Sequence, residues 1–147
     1  MSAITRLETY LQEIPKLVTG FEQEAFLRKP APNKWSKQEI LGHLCDSAAN
    51  NHIRFARILL SGEPVKIEGY QQDEWVQLHG YQHNYSCLEL LALWIHLNKQ
   101  ILYVMRHASE SDLNKSCVLS DGSQVSLRWL FDDYLDHMVH HREQIEG

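Results

Sequence analysis

The sequence predicts an all-α protein organised around four long helices. Apolar residues recur at intervals of three and four over four separate stretches, Ser-x-x-Glu capping boxes open the second and third of them, and proline- or glycine-bearing segments divide them. Such spacing lines one face of each helix with apolar side chains, which leave water by packing against one another. The 147 residues, 44% hydrophobic and 22% charged, suit one globular domain, residues 1–147, with a substantial core.

The first stretch runs from Ser2 to about Arg28 and carries Ile4, Leu7, Leu11, Ile14, Leu17, Val18 and Phe21 on one stripe. Pro15 lacks the amide that would bond back one turn, so a kink or break is expected near Gln12–Ile14, and Gly20 weakens the far end. Pro30 and Pro32 forbid continuation. The second helix opens at Ser36-Lys37-Gln38-Glu39, where the serine oxygen accepts from the Glu39 amide, the Glu39 side chain reaches back, and Trp35 stands in front as an apolar staple. Ile40, Leu44, Ser47, Ala48, Asn51, Phe55 and Ile58 share one of its sides, and Gly62 with Pro64 closes it.

A long connection follows between Val65 and Asn84, irregular except for a short helix expected over Asp73–Leu78. Ser86-Cys87-Leu88-Glu89 opens the third helix, whose broad apolar face holds Leu90, Leu91, Leu93, Trp94, Leu97, Ile101, Leu102, Val104 and Met105. Ser109 to Asp112 starts a turn, and short alternating stretches around Asp121-Gly122 predict a small hairpin before the fourth helix. Ser126 caps that helix, along which Leu127, Leu130, Phe131, Tyr134, Met138 and Ile145 recur in register. Trp75, Trp94, Trp129 and the tyrosines fall at spacings that suit packing and are read as core.

Composition removes several function classes. A net charge of −5 with no basic run leaves no electrostatic footprint for nucleic acid. No stretch approaches the roughly 18–20 apolar residues of a membrane span, and the first residues lack the apolar centre of a signal peptide, so a cytoplasmic protein is expected. Cys45, Cys87 and Cys117 are odd in number and form no Cys-x-x-Cys pair, which argues for reduced thiols rather than a disulfide framework or a zinc ribbon.

The chemistry concentrates in the histidines. His137 lies three residues after Tyr134 and seven after Leu130, and His141 lies three after Met138, which sets both on the buried stripe of the fourth helix. His140 instead shares a side with Asp133 and Asp136 and is read as a surface residue. Residues four apart on a helix point the same way, so His137 and His141 can converge on one ion. His43, next to the Leu44 stripe of the second helix, points inward and supplies a third imidazole.

A single inward histidine is most often a hydrogen-bonded core group. Three buried together each need a separate partner, whereas one divalent ion satisfies a nitrogen on all of them. Three neutral ligands leave the ion's charge uncompensated and a coordination position open, which is the arrangement of a catalytic site; closed structural zinc sites usually have four protein ligands. Cys45, two residues from His43, diverges by about 200° and makes a poor co-ligand. Asp46, one turn from His43, is the candidate catalytic carboxylate, for proton handling or for orienting a histidine, with a pairing to Arg54 or Arg57 as its alternative. Asn50, Asp133 and Gln144 are placed to support the site, and His52, His79, His83, His96 and His107 are read as surface or supporting groups.

The segment from Trp35 through His43 to Ser47, followed about ninety residues later by His137-x-x-x-His141-x-x-Gln144-Ile145, resembles the DinB-like family over nearly the whole chain. The resemblance implies a four-helix bundle of up-down-down-up course. It also implies a divalent metal, commonly zinc or nickel, held by His43, His137 and His141, and frequent homodimers. Glu143 is a local departure, standing where members often carry glycine. Some members of the wider family transfer low-molecular-weight thiols to electrophiles or isomerise thiol adducts. The resemblance therefore implies a thiol-dependent S-transferase acting on a small molecule, with a metal-dependent hydrolase, or a non-catalytic bundle binding a metal or small ligand, as alternatives.

Overall fold

The computed structural model describes residues 1–147. In chain order it forms α1 (Ala3–Thr19), α2 (Gln23–Leu27), α3 (Lys37–Leu60), β1 (Val65–Lys66), α4 (Gln72–His79), α5 (Tyr81–Asn84), α6 (Cys87–His107), α7 (Glu110–Leu113), β2 (Ser116–Val118), β3 (Gln124–Ser126) and α8 (Leu127–Glu146). The four long helices α1, α3, α6 and α8 make the bundle expected from the periodicity. α1 and α3 each pack against both α6 and α8, so these two, consecutive among the long helices, stand across the bundle's diagonal. Leu7, Ile14, Phe55, Trp94, Ile101 and Leu135 fill the space between them, each at most 1% exposed. Tyr134 donates to Asn98 Oδ1 at 2.6 Å, a buried polar pair that joins α8 to α6.

The helix starts are the ones the capping residues dictate. Ser36 Oγ accepts from the Glu39 amide at 3.1 Å while Glu39 Oε1 accepts from the Ser36 amide at 3.1 Å, and Ser86 with Glu89 repeats the arrangement on α6. The first helix corrects the expectation. It runs unbroken through Gln12–Ile14 and ends at Thr19, where the Gly20 amide bonds to Leu17 O, and the chain restarts as α2 at Gln23. Pro15 costs the helix one backbone bond, but Ile14 and Val18 on either side of it are each 1% exposed, and their burial holds the turn together. Gly20 has no side chain to bury, and the helix stops there.

The connection after α3 is more ordered than its pattern suggests. The expected short helix is α4, closed by Gly80 at φ +60°, a left-handed conformation that favours glycine. The hairpin forms as β2 and β3, antiparallel with Ser116 opposite Ser126. β1 was not foreseen: it adds a parallel strand, Val65 opposite Cys117, and ties the start of the connection to the hairpin. Two aromatics read as core lie outside it. Trp129 is 45% and Tyr103 68% exposed, because each falls between the positions that define its helix's buried stripe. No helix is long and apolar enough to cross a membrane.

Candidate metal centre

α3 and α8 bring three imidazoles to one point. His43 is fully buried, His141 is buried and His137 half-buried. His137 Nε2 lies 3.2 Å from His43 Nε2 and 3.1 Å from His141 Nε2, and one potential ligand atom from each of the three lies within 4.8 Å of the others. Imidazole nitrogens bound tetrahedrally at about 2.0–2.1 Å from an ion are themselves about 3.3 Å apart, so the observed spacing suits a shared ion. The rings meet edge to face, with planes 71–77° apart.

The electrostatics keep these rings in the ligand form. Burial, reinforced by the neighbouring imidazoles His141 and His137, pushes His43 down to about 3. Burial, with His141 and His140, pushes His137 down to about 4. His141 is lowered by burial, against the opposing effect of the hydrogen bond it donates to Gln144. All three are neutral at pH 7, each with a nitrogen lone pair to offer. His141 Nδ1 lies 2.7 Å from Gln144 Oε1; an oxygen acceptor there puts the proton on Nδ1 and leaves Nε2 bare toward His137. Trp35 packs on His43 with ring centroids 4.8 Å apart and keeps water from that side. Convergent neutral nitrogens with a fixed tautomer fit a divalent ion.

Asp46 is 3% exposed. Its Oδ1 accepts from the Tyr81 hydroxyl at 2.5 Å and lies 3.7 Å from His79 Nδ1, whereas Oδ2 has no partner. Burial raises its pKa, against the lowering effects of the Tyr81 hydrogen bond and of the neighbouring His79. Neither Arg54 nor Arg57 pairs with it. Tyr81 is the residue the sequence reading missed. Its ring occupies the place where a Cβ on Gly42 would stand, 2.2 Å from Cδ2, so glycine beside His43 lets the connection close over the site. A glycine inside a helix is the one sequence signal of such a close neighbour.

The other candidates separate. Gln144 supports His141 as placed, His140 is exposed, and Asn50 bonds back to Asp46 O at 2.9 Å. Cys45 donates to Leu90 O at 3.5 Å, and burial pushes its thiol pKa up, which leaves it a core residue. Asp133 does not bond a histidine but lines a cleft of about 410 Å³ with Ser47, Asn51, Arg54, Tyr70 and His137. A second hollow, about 450 Å³, lies by Trp35, Asp73 and Gln144. The three rings thus have open space beside His137 on one side and beside the Gln144 support on the other.

A family model described as the DinB superfamily matches residues 6–145. A protein of Halalkalibacterium halodurans, provisionally named a metal-dependent hydrolase, is 22% identical over 143 residues, 97% of this chain and 82% of its own. YfiT from Bacillus subtilis, described as a probable metal-dependent hydrolase with an unusual four-helix bundle topology, superposes with a TM-score of 0.85 at 22% identity, covering 97% of this chain and 81% of that one. A variant of the mycothiol-dependent maleylpyruvate isomerase superposes with a TM-score of 0.76 at 12% identity, covering 99% of this chain and 60% of that one. At these identities the structural likenesses establish the bundle.

Proposed function

The chain belongs to the DinB superfamily, and from that premise we propose a metal-dependent enzyme in which His43, His137 and His141 hold one zinc or nickel ion and a thiol is transferred to an electrophilic substrate. The observation that carries the reading is the pair of Nε2 separations at His137, 3.2 and 3.1 Å, among imidazoles held neutral. When bound, a divalent ion on three neutral ligands lowers the pKa of a thiol or a water that reaches its open position.

The protein's own residues do the rest. Gln144 fixes the His141 tautomer, and Trp35 shields His43. Asp46 is the positioning carboxylate: its unpaired Oδ2 and the unpaired His43 Nδ1 are both buried, one turn apart on α3, and are complementary as acceptor and donor. In transfer, the sulfur bonds to the electrophilic carbon, the leaving group departs with its electron pair, and the thiol proton leaves by the cleft that Asp133 lines. Transfer needs room for organic reactants beside the ligands, and the cleft of about 410 Å³ that His137 itself lines offers it. Hydrolysis is the second reading, favoured by the name of the Halalkalibacterium relative.

The test is turnover by the zinc- and nickel-loaded chain of 1-chloro-2,4-dinitrobenzene with a panel of low-molecular-weight thiols, beside 4-nitrophenyl acetate alone. Thiol-dependent loss of chloride supports transfer, ester cleavage without thiol supports hydrolysis, and neither would make the bundle a binding module.

A further inference from the structure

Four of the chain's arginines pair with carboxylates: Arg6 with Asp136, Arg106 with Glu8, Arg128 with Glu110 and Arg142 with Glu13. Arg54 does not. Its guanidinium bonds to two neutral oxygens, Glu68 O at 2.5 Å and Asn51 Oδ1 at 3.4 Å, and lies over the Tyr70 ring at 5.7 Å. Five N–H donors and two neutral acceptors leave donors to spare. Burial works against the charge, so a half-buried cation is held here without a counter-ion.

Its position gives that charge a direction. His43, Ser47, Asn51 and Arg54 are spaced four, four and three along α3 and form one polar stripe, and Arg54, eleven residues on, returns within about 20° of His43. Ser47, Asn51 and Arg54 of this stripe are the α3 wall of the 410 Å³ cleft, which His137 also lines, and His137 Nε2 lies 3.2 Å from His43 Nε2. About 16 Å of helix rise separates the Cα atoms of His43 and Arg54, and a helical arginine leans back toward the N-terminus, which leaves the length of a small organic molecule between guanidinium and histidines. Across the cleft stand Asp133, Asp136 and His140. Asp136 is neutralised by Arg6, while Asp133 has no cationic partner and repels an anion from its own wall, so the one place for an oxyanion is against Arg54.

We propose that Arg54 is the specificity residue of the cleft, binding an oxyanion, carboxylate or phosphate, on the end of the substrate remote from the reacting atom. This rests on the reading of the cleft as the substrate site, but not on metal being bound. A planar guanidinium takes either group bidentately, which a lysine cannot reproduce.

The full chain, as purified and again after chelator treatment, is titrated at constant ionic strength with succinate, inorganic phosphate and the neutral analogue succinamide, following the Arg54 Nε–Hε resonance in the wild type and the backbone amides of the cleft residues Ser47 and Asn51 in the wild type and both Arg54 variants. A saturable shift with succinate or phosphate and none with succinamide is expected, the tighter of the two naming the group. Arg54→Gln should weaken binding at least tenfold, and Arg54→Lys should retain part of it. The proposal is overturned if succinamide moves the resonance as succinate does, if the anions produce no saturable shift, or if Arg54→Lys and Arg54→Gln bind with the wild-type midpoint while only their melting temperature falls. The chelated sample separates the two claims: failure to bind metal ends the metal site and leaves this result standing, and the reverse holds equally.

Discussion

Gln144 Oε1 stands 2.7 Å from His141 Nδ1, one turn further along α8, and so decides which nitrogen of His141 is free to coordinate. The side chain is itself exposed, and its role is to orient the ring rather than to fill space. Removing it should therefore touch the metal and spare the fold.

Gln144→Ala is expected to weaken zinc binding by about 10–100-fold, read by isothermal titration, with the thermal midpoint of the metal-free protein unchanged. Unaltered affinity would remove Gln144 from the site.

Gly42→Ala and Tyr81→Phe probe how the connection closes over α3. An alanine Cβ would meet the Tyr81 ring at 2.2 Å, an overpacking that costs about 1–3 kcal/mol. Tyr81→Phe keeps the ring but leaves Asp46, already unpaired at Oδ2, without its 2.5 Å donor, at a cost of about 1–3 kcal/mol. Urea denaturation measures both. A wild-type midpoint for Gly42→Ala would mean the ring does not occupy that space.

The histidines set a pH dependence for the metal-free protein. His43 and His137 sit at about 3 and 4 in the fold, below the ordinary value of about 6.5. The unfolded chain therefore binds protons that the native one refuses, so stability is full above about pH 6.5 and declines as pH falls through the interval down to 4 and 3. Asp46, raised by burial, works in the opposite sense over the acid end. Urea midpoints from pH 7.5 to 5 should fall, and His43→Gln with His137→Gln should flatten the slope. An equal slope in the variant would contradict the assignment.

The parts of this arrangement legible in the sequence are those written along one helix. Register alone set His137 and His141 on the buried stripe of α8 and His140 outside it, and the capping boxes at Ser36 and Ser86 marked two helix starts to the residue. What joins distant segments left little trace. Tyr81 reaches Asp46 across 35 residues from a connection with no period, and β1 pairs with β2 through two residues on each side, too short to show alternation. Pro15 misled for the converse reason, since its cost is local and the burial of Ile14 and Val18 that overrides it is not. The sequence offers Arg54 only as one alternative partner for Asp46, beside Arg57; the fold instead sets it on the wall of the cleft.

The most direct test of the metal site is metal analysis by mass spectrometry of the chain purified without a histidine tag or added metal. One divalent ion per chain is expected in the wild type and in His140→Ala, falling below a tenth in His43→Ala, His137→Ala and His141→Ala. A wild-type chain lacking stoichiometric metal, or a His137→Ala chain that keeps it, would contradict the account.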